Sequence, residues 1–268
     1  KIRQHSPDFV ISLGSRGKVA AFSISTAIPV VLGAILSPDS SVLLALQQPS
    51  MLASTAFTPL RQPRLPDLTV SLTPAPEQLF NQLRNLAPNI RGVHVVYHKN
   101  DTELINDARA AAKRFGLNLT VHQAQDLKQS ALAHSQLMAN LKSETEALWL
   151  LQNPEVVDNH LILPMVLKTA WQRKFVVISN NFSHVKHGVL FTLYPDNYRL
   201  GKHLWQSGAD LVIAAESPAS TTLLKLPQLE WLQQTRLAVN IRTARHLGLK
   251  FSERQQRQFD LIFPRHGG

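Results

Sequence analysis

The sequence of 268 residues contains no cysteine, only 7% aromatic residues and no long hydrophobic run. Without cysteine the chain forms no disulfide, has no catalytic thiolate and has no sulfur ligand for zinc. Uninterrupted apolar runs such as Leu211–Ala215 are far shorter than the ~20 residues that span a bilayer. Hydrophobic residues nevertheless make up 44% of the chain and charged residues 17%, a balance typical of a folded protein with a substantial core.

Catalytic signatures are also absent. Eleven histidines are present, but none forms an H-E-x-x-H motif, and the pair His184 and His187 has the spacing of ordinary surface residues. Ser15 lacks the G-x-S-x-G context of a nucleophile elbow, and no pair of carboxylates suggests acid–base chemistry. The sequence therefore predicts a protein that is not an enzyme and that has no cofactor and no metal.

The formal net charge is +10, and its distribution decides what it means. Lys and Arg are spread along the chain, with the densest cluster near the C-terminus and little aromatic interleaving there. This pattern favours a solvated face, or contact with a negatively charged membrane or partner, and disfavours nucleic-acid binding. The C-terminal cluster consists of Arg242, Arg245, Lys250, Arg254 and Arg257.

Short apolar runs alternate with helical patterns along the chain. Helical patterns cover 76–87, 101–116 and 154–174, and Pro164 inside the last of these is expected to kink it. Such alternation predicts an α/β fold with parallel sheets. The predicted strands are 9–13, 28–35, 68–72, 92–98, 117–123, 147–152, 175–179, 189–194 and 236–241, while 216–234 is predicted to be an irregular surface segment.

Two of these strands end abruptly in amide side chains. The run 147–151 leads into Gln152 and Asn153, and the run 175–179 leads into Asn180 and Asn181. Open α/β sheets bind ligands outside the carboxyl ends of their parallel strands. Side-chain amides at that edge predict a site for a small polar solute.

The same segment carries a family resemblance. The order strand, Asn-Pro, helix, strand, Ser-Asn, followed by GVLFTLYPDNYRLG (188–201), resembles the substrate-binding proteins of ABC importers, which have the periplasmic-binding-protein type I fold. It is most similar to the subfamily that includes tryptophan and tyrosine binders. Segments 8–35, 71–97 and 236–253 resemble further strands, helices and the mid-chain crossover of this family.

The resemblance implies two lobes with parallel Rossmann-like sheets, joined by two crossovers near 73 and 195. Residues 1–72 and 196–268 are expected to form the N-terminal-type lobe, and residues 73–195 the second lobe. Family members usually have one more strand–helix–strand–helix stretch before the position of Asp8, so the first lobe is expected to be truncated at its N-terminus.

The turn Gly14–Gly17 follows a strand and opens a helix. Its free N–H groups suit an anion such as a carboxylate, although the same pattern also fits a plain helix start. The resemblance adds Ser15 as a ligand contact. In the next loop the family commonly has an acidic residue followed by proline, whereas this chain has the reverse order, Pro38-Asp39. Asp39 fits either a ligand contact or a helix cap or turn.

On the second lobe, Asn100 and Asp101 fit either a helix cap or a ligand contact, and Phe182 and Tyr194 fit either aromatic pocket walls or core residues. The loop Ser179–Asn181 lacks the acidic residue with which amino-acid binders of the family pair the ligand's ammonium, so a neutral or anionic solute is expected. The complete predicted ligand-binding set is Ser15, Arg16, Ser37, Asp39, Asn100, Gln152, Asn153, Asn181 and Tyr194.

The resemblance implies a function as well as a fold. The chain is expected to be the periplasmic component of an ABC importer that binds a small polar or aromatic solute between two lobes and presents it to permease subunits in the membrane. No signal segment is visible in the chain, and nucleic acid is not expected as a partner. The alternative is a ligand-sensing or partner-binding protein on the same scaffold without a transport role.

Overall fold

The computed structural model describes residues 7–22, 24, 28–36, 65–216 and 228–264. The chain divides into two compact units, each built from separate stretches of sequence. Unit 1 comprises residues 1–73 and 196–234, and unit 2 comprises residues 74–195 and 235–268. The fold is mixed α/β with predominantly parallel sheets, as the sequence predicted.

Unit 1 contains a four-stranded sheet in the order β1-β2-β3-β9. β1 pairs with β2, and β2 with β3, in parallel. Its described elements are β1 (Val10–Leu13), α1 (Gly14–Phe22), β2 (Val30–Ile35), β3 (Leu68–Pro74), α7 (Asn197–Glu216) and β9 (Gln228–Leu232).

β2 is buried on both faces, which explains its continuous apolar sequence. Val31 belongs to the cluster that packs against Leu200 and Leu204 of α7. Its neighbours Val30 and Leu32 belong to a separate cluster with Ala21 of α1. Because successive strand side chains point to opposite faces, α1 and α7 cover opposite sides of this sheet.

Unit 2 contains a seven-stranded sheet in the order β11-β10-β8-β7-β6-β4-β5. Its strands are β4 (Gly92–Tyr97), β5 (Asn118–Gln123), β6 (Glu146–Leu150), β7 (Val176–Ser179), β8 (Phe191–Pro195), β10 (Thr235–Asn240) and β11 (Leu261–Phe263). Its helices are α2 (Pro76–Leu86), α3 (Thr102–Arg114), α4 (Leu127–Asn140), α5 (Ile162–Arg173), α6 (Phe182–His187), α8 (Ile241–His246) and α9 (Glu253–Gln256).

The two faces of this sheet bury different residues of the same strands. Leu148 and Leu150 of β6 lie in a cluster with Leu137 of α4 and Val166 of α5. Trp149, between them, points to the other face and meets Phe80 of α2 edge-to-face at 5.6 Å. β4 to β8 run parallel, so the ends of β4, β6, β7 and β8 come together at one edge, here called the strand-end edge.

The expected assignment of residues 196–268 to the first lobe is wrong for the C-terminal part. β10 pairs with β8 in antiparallel register from Thr235 opposite Pro195 to Val239 opposite Phe191, and β11 extends the same sheet. The tail therefore belongs to unit 2. The antiparallel pair also departs from the wholly parallel sheets that the sequence suggested.

The predicted helix over 154–174 is shorter than expected. Residues 151–161 form turns, and α5 begins at Ile162 with Pro164 in its first turn. Proline is tolerated there because the first-turn N–H groups have no intrahelical partner, so no kink results. The segment 216–234, expected to be irregular, contains β9, and residues 217–227 lie outside the described part of the chain.

Candidate functional site

The loops after β4 and β6 are tied together at the strand-end edge. The Nδ2 amide of Asn153 donates to Oδ2 of Asp101 at 2.8 Å, and the same oxygen accepts from the backbone N–H of His98 at 3.1 Å. The ring of His98 lies 2.8 Å from the carboxylate of Glu155. Asn153 also accepts from the backbone N–H of Glu155 at 3.0 Å, so both ends of its amide hold the loops in place.

Asp101 is the most buried carboxylate of this network. Desolvation by burial raises its pKa above the ordinary aspartate value, against the hydrogen bond from Asn153, which lowers it. Its side chain caps the short 3₁₀ helix Lys99–Asp101 through His98 rather than α3. Asp101 therefore acts as a capping residue, as one of the two interpretations predicted, but its side chain caps the 3₁₀ helix and not α3.

After β7, the polar side chains form a second network. Ser179 Oγ lies 2.8 Å from Nδ1 of His184, and Nε2 of His184 lies 2.9 Å from Oδ1 of Asn159. Because that Asn159 oxygen can only accept, the neutral imidazole carries its proton on Nε2 and accepts from Ser179. Burial, followed by repulsion from His187, lowers the pKa of His184 to about 4, which keeps the ring neutral near pH 7.

The two asparagines after β7 have different surroundings. Asn180 is buried, and its Oδ1 accepts from the indole Nε1–H of Trp149 at 2.8 Å, while its Nδ2 has no hydrogen-bond partner among the described residues. Asn181 is half-buried and caps α6, since its Oδ1 accepts from the N–H and the hydroxyl of Ser183. Only Asn181 combines a fixed orientation with accessibility.

Replacing Asn180 with alanine should lower the free energy of unfolding by about 1–3 kcal/mol, because the indole N–H of Trp149 then lies buried without an acceptor. Urea denaturation measures the change. The Trp149→Phe variant removes the indole N–H donor. The loss of unfolding free energy in the double variant should therefore be smaller than the sum of the losses in the two single variants. Strictly additive effects would show that this hydrogen bond does not couple the two residues.

Other predicted contacts at this edge keep accessible polar groups. Gln152 is half-buried and Asn100 is exposed, and no described residue hydrogen-bonds to either side-chain amide. The same holds for Nδ2 of Asn181, whose oxygen alone is engaged. Amides at the ends of two adjacent strands, β6 and β7, are thus available to a solute.

Tyr194 ends β8 beside an aromatic cluster. Its ring lies 4.9 Å from the ring of Phe182, which in turn meets Phe263 at 6.2 Å. Both Phe182 and Tyr194 are partly buried against Val185 and Phe263. These contacts agree with the interpretation of Phe182 and Tyr194 as core residues. The role of Tyr194 as a pocket wall stays a prediction.

In unit 1, the predicted turn is the first turn of α1. Gly14 begins the helix with φ +68°, a conformation that favours glycine, and Ser15 and Arg16 follow with exposed side chains. Ser12 Oγ donates to the carbonyl of Gly17 at 2.6 Å, which fixes the turn to the end of β1. Ser37 and Asp39 lie outside the described residues.

Sequence reasoning missed the residues that shape the strand-end edge. Their roles depend on contacts between loops that are far apart in sequence, and His184, which the sequence suggested to be a surface residue, is buried. The missed residues are His98, Glu155, Asn159 and His184. One local signal existed: His98 and Asp101 have the spacing of a capping box, which the structure contains.

The described residues contain no group of three His, Asp or Glu side chains arranged to hold a metal ion. Within the same part of the chain, no helix has both the length and the hydrophobicity required to cross a bilayer.

Solved structures of similar fold extend this description. A ligand-free, open substrate-binding protein with adhesive properties from Clostridium difficile matches with a TM-score of 0.62 at 16% identity, over 97% of this chain and 79% of that one. A conserved domain protein from Vibrio cholerae matches with a TM-score of 0.58 at 18% identity, over 97% and 80%. An ABC domain in complex with L-Trp from Streptococcus pneumoniae matches with 0.54 at 16%, over 96% and 81%.

These likenesses establish the fold, which is that of the two-lobed periplasmic binding proteins of type I. The family model for ABC transporter substrate binding proteins matches residues 1–256. The chain belongs to that family, and the resemblance inferred from the sequence is confirmed. No curated protein sequence matches the chain.

Proposed function

We propose that this protein is the solute-binding component of an ABC importer and that it binds a small polar or aromatic solute, which it presents to permease subunits in the membrane. The solute contacts unit 2 through Asn100, Gln152 and Asn181, with Tyr194 as an aromatic wall. Ser15 and Arg16, with Ser37 and Asp39, are the proposed contacts from unit 1. Asn153 takes part by holding the loops of the strand-end edge.

One observation carries this proposal beyond family membership. Gln152 and Asn181 follow adjacent strands, and no described residue hydrogen-bonds to the Gln152 amide or to Nδ2 of Asn181. A pocket for a small solute needs a few such oriented polar groups. The surrounding loops are already held by hydrogen bonds of Asp101, Asn153 and His184, so ordering of the loop backbone costs little entropy on binding.

A thermal-shift screen over amino acids, small carboxylates and heterocycles should identify a stabilising solute. Gln152→Leu should then weaken its affinity by about tenfold, because a solute group loses its hydrogen-bond partner. Asn181→Asp should also weaken binding of a neutral or anionic solute, because it replaces the free Nδ2 donor with a negatively charged oxygen, while the oxygen that caps α6 is kept. Gln136→Leu on the exposed face of α4 is the matched control. Equal affinities of all three variants would place the site elsewhere.

Import by a membrane permease implies that the protein works in the periplasm or outside the cell. A permease and an ATPase encoded beside this chain would favour import, and stimulation of their ATPase activity by the solute-loaded protein would test it directly. Tight solute binding without any such stimulation would favour the alternative, a ligand sensor on the same scaffold.

A further inference from the structure

Unit 2 has a second concave feature at the edge of its sheet where β7 and β8 begin, opposite the strand-end edge. This pocket has a volume of about 350 Å³ and lies between the last turns of α5, the end of α6 and the beginning of α8. Leu167, Phe175 and Leu247 supply apolar walls. Its size is within the range of sites for small organic ligands, about 300–1,000 Å³.

The ionisable side chains that line this pocket, here called the basic pocket, are all basic. Lys168, Lys186 and Arg242 contribute cations, His187 and His246 contribute imidazoles, and no Asp or Glu is among the lining residues. The ion pairs found among the described residues involve none of the three cations. The positive charge at this pocket is therefore not compensated by a neighbouring carboxylate.

Two of these cations lie over the faces of aromatic rings. The rings of Trp171 and His246 stack at 3.7 Å with an interplanar angle of 1°, and Nε2 of His246 donates to the carbonyl of Trp171 at 2.8 Å. The guanidinium of Arg242 lies 5.4 Å from the Trp171 ring, and Lys186 lies 5.7 Å from the Phe182 ring. Ring faces attract a cation and leave its net charge in place.

Carbonyl groups at the end of α6 could repel an anion, but they already accept hydrogen bonds from neighbouring side chains. The carbonyl of Gly188 accepts from the hydroxyl of Thr243 at 2.9 Å. Asn240, at the end of β10, uses its amide for the carbonyl of Val185 and for the N–H of Thr243. Among the described residues, the lining side chains without a hydrogen-bond or ion-pair partner thus include all three cations, together with His187.

We propose that the basic pocket binds a phosphate group carried by a small organic moiety, at a site separate from the solute site. An arginine fork and lysine ammonium groups are the side chains that bind phosphate best, because they combine charge with several N–H donors. A free phosphate ion would leave much of the volume empty, whereas an attached organic group would contact Leu167, Phe175 and Leu247. The same chemistry is offered by a phosphorylated metabolite and by the head group of an anionic phospholipid.

The test measures binding of glycerol phosphate to the full chain by calorimetry, with vesicles of phosphatidylglycerol and of phosphatidylcholine as a second arm. Lys186→Gln combined with Arg242→Gln should weaken glycerol phosphate binding by on the order of a hundredfold, as two charge-assisted hydrogen bonds are lost. Lys113→Gln combined with Lys128→Gln removes the same charge from exposed positions of unit 2 and should change binding little.

Folding is checked independently. Lys168, Lys186 and Arg242 are exposed, so the variants should keep the circular dichroism and thermal midpoint of the parent. If loss of Arg242 disturbs Trp171, Lys168→Gln combined with Lys186→Gln tests the pocket with that contact intact.

The outcomes separate the sources of the phosphate group. Glycerol phosphate binding that the pocket variant loses and the control variant keeps would support a free phosphorylated ligand. Capture by phosphatidylglycerol vesicles alone, again lost only in the pocket variant, would support a lipid head group. Equal behaviour of the two double variants, or no binding of either probe by the unmodified protein, would overturn the proposal. None of these results depends on the solute bound at the strand-end edge.

Discussion

Acidification from pH 7 to pH 4 should lower the free energy of unfolding by about 4–6 kcal/mol through two buried histidines, His134 and His184. Both have a pKa lowered to about 4, chiefly by burial. An unfolded histidine has a pKa of about 6.5, so between these values the unfolded chain binds more protons than the folded one. The stabilisation is complete above pH 6.5 and is lost as the pH falls toward 4.

The surroundings of His134 explain its resistance to protonation. Its Nδ1 donates to the carbonyl of Ser130 at 2.9 Å, which places the single proton of the neutral ring there. Nε2 is buried and has no hydrogen-bond partner among the described residues. A second proton would therefore create a charged N–H group in an apolar site, and the nearby His122 opposes it further.

Urea denaturation at several pH values between 4 and 7 measures this effect. His134→Leu and His184→Leu should each flatten the pH dependence, reducing the difference in unfolding free energy by about 2–3 kcal/mol whatever their stability at pH 7. His160→Gln, at an exposed position, is the control and should leave the slope unchanged. A parent-like slope in both leucine variants would show that these rings are not what titrates.

Among indole ligands, the deaminated acid should bind at least about tenfold more tightly than the decarboxylated amine, with tryptophan between them. The side chains of Gln152 and Asn181 offer dipoles without negative charge, and the proposed contact Arg16 lies in the first turn of α1 in unit 1. An ammonium that loses its water without gaining an anionic partner is costly. Calorimetry with the three compounds measures the preference.

Two carboxylates would reverse this expectation if they paired with an ammonium: Asp39, a proposed contact that lies outside the described residues, and Asp101 at the strand-end edge. Oδ2 of Asp101 already accepts two hydrogen bonds, which leaves this oxygen less available to an ammonium. Asp101→Asn should consequently leave the order of affinities unchanged. Tight binding of the amine, abolished by Asp101→Asn, would contradict the prediction and assign the ammonium to Asp101.

Local pattern predicted the strands well where the sequence is continuously apolar, as in Val176–Ser179. It did not predict α4, whose apolar residues are interspersed with Gln, Ser and His. It also misplaced the C-terminal tail, because Thr235–Asn240 pairs with a strand some forty residues earlier and nothing in its own sequence identifies that partner.

The polar side chains at the strand ends could be picked out from the sequence, but their contacts could not. The amides after β6 and β7 stood out because apolar runs end there. The sequence could not show that both ends of the Asn153 amide are engaged within unit 2, or that Asn180 faces Trp149 while Asn181 remains accessible. These differences depend on which side of the strand each residue occupies and on loops that meet only in the folded chain.

The chain passes from one unit to the other three times, at residues 73–74, 195–196 and 234–235. During synthesis from the N-terminus, β8 is therefore made well before β10, its neighbour on one side. Until β10 has left the ribosome, β8 has an unpaired edge, which is a site for misassociation between nascent chains. Slow translation or a stalled ribosome after Gln234 would prolong that exposure. The pairing of β10 with β8 therefore protects this edge of the unit 2 sheet.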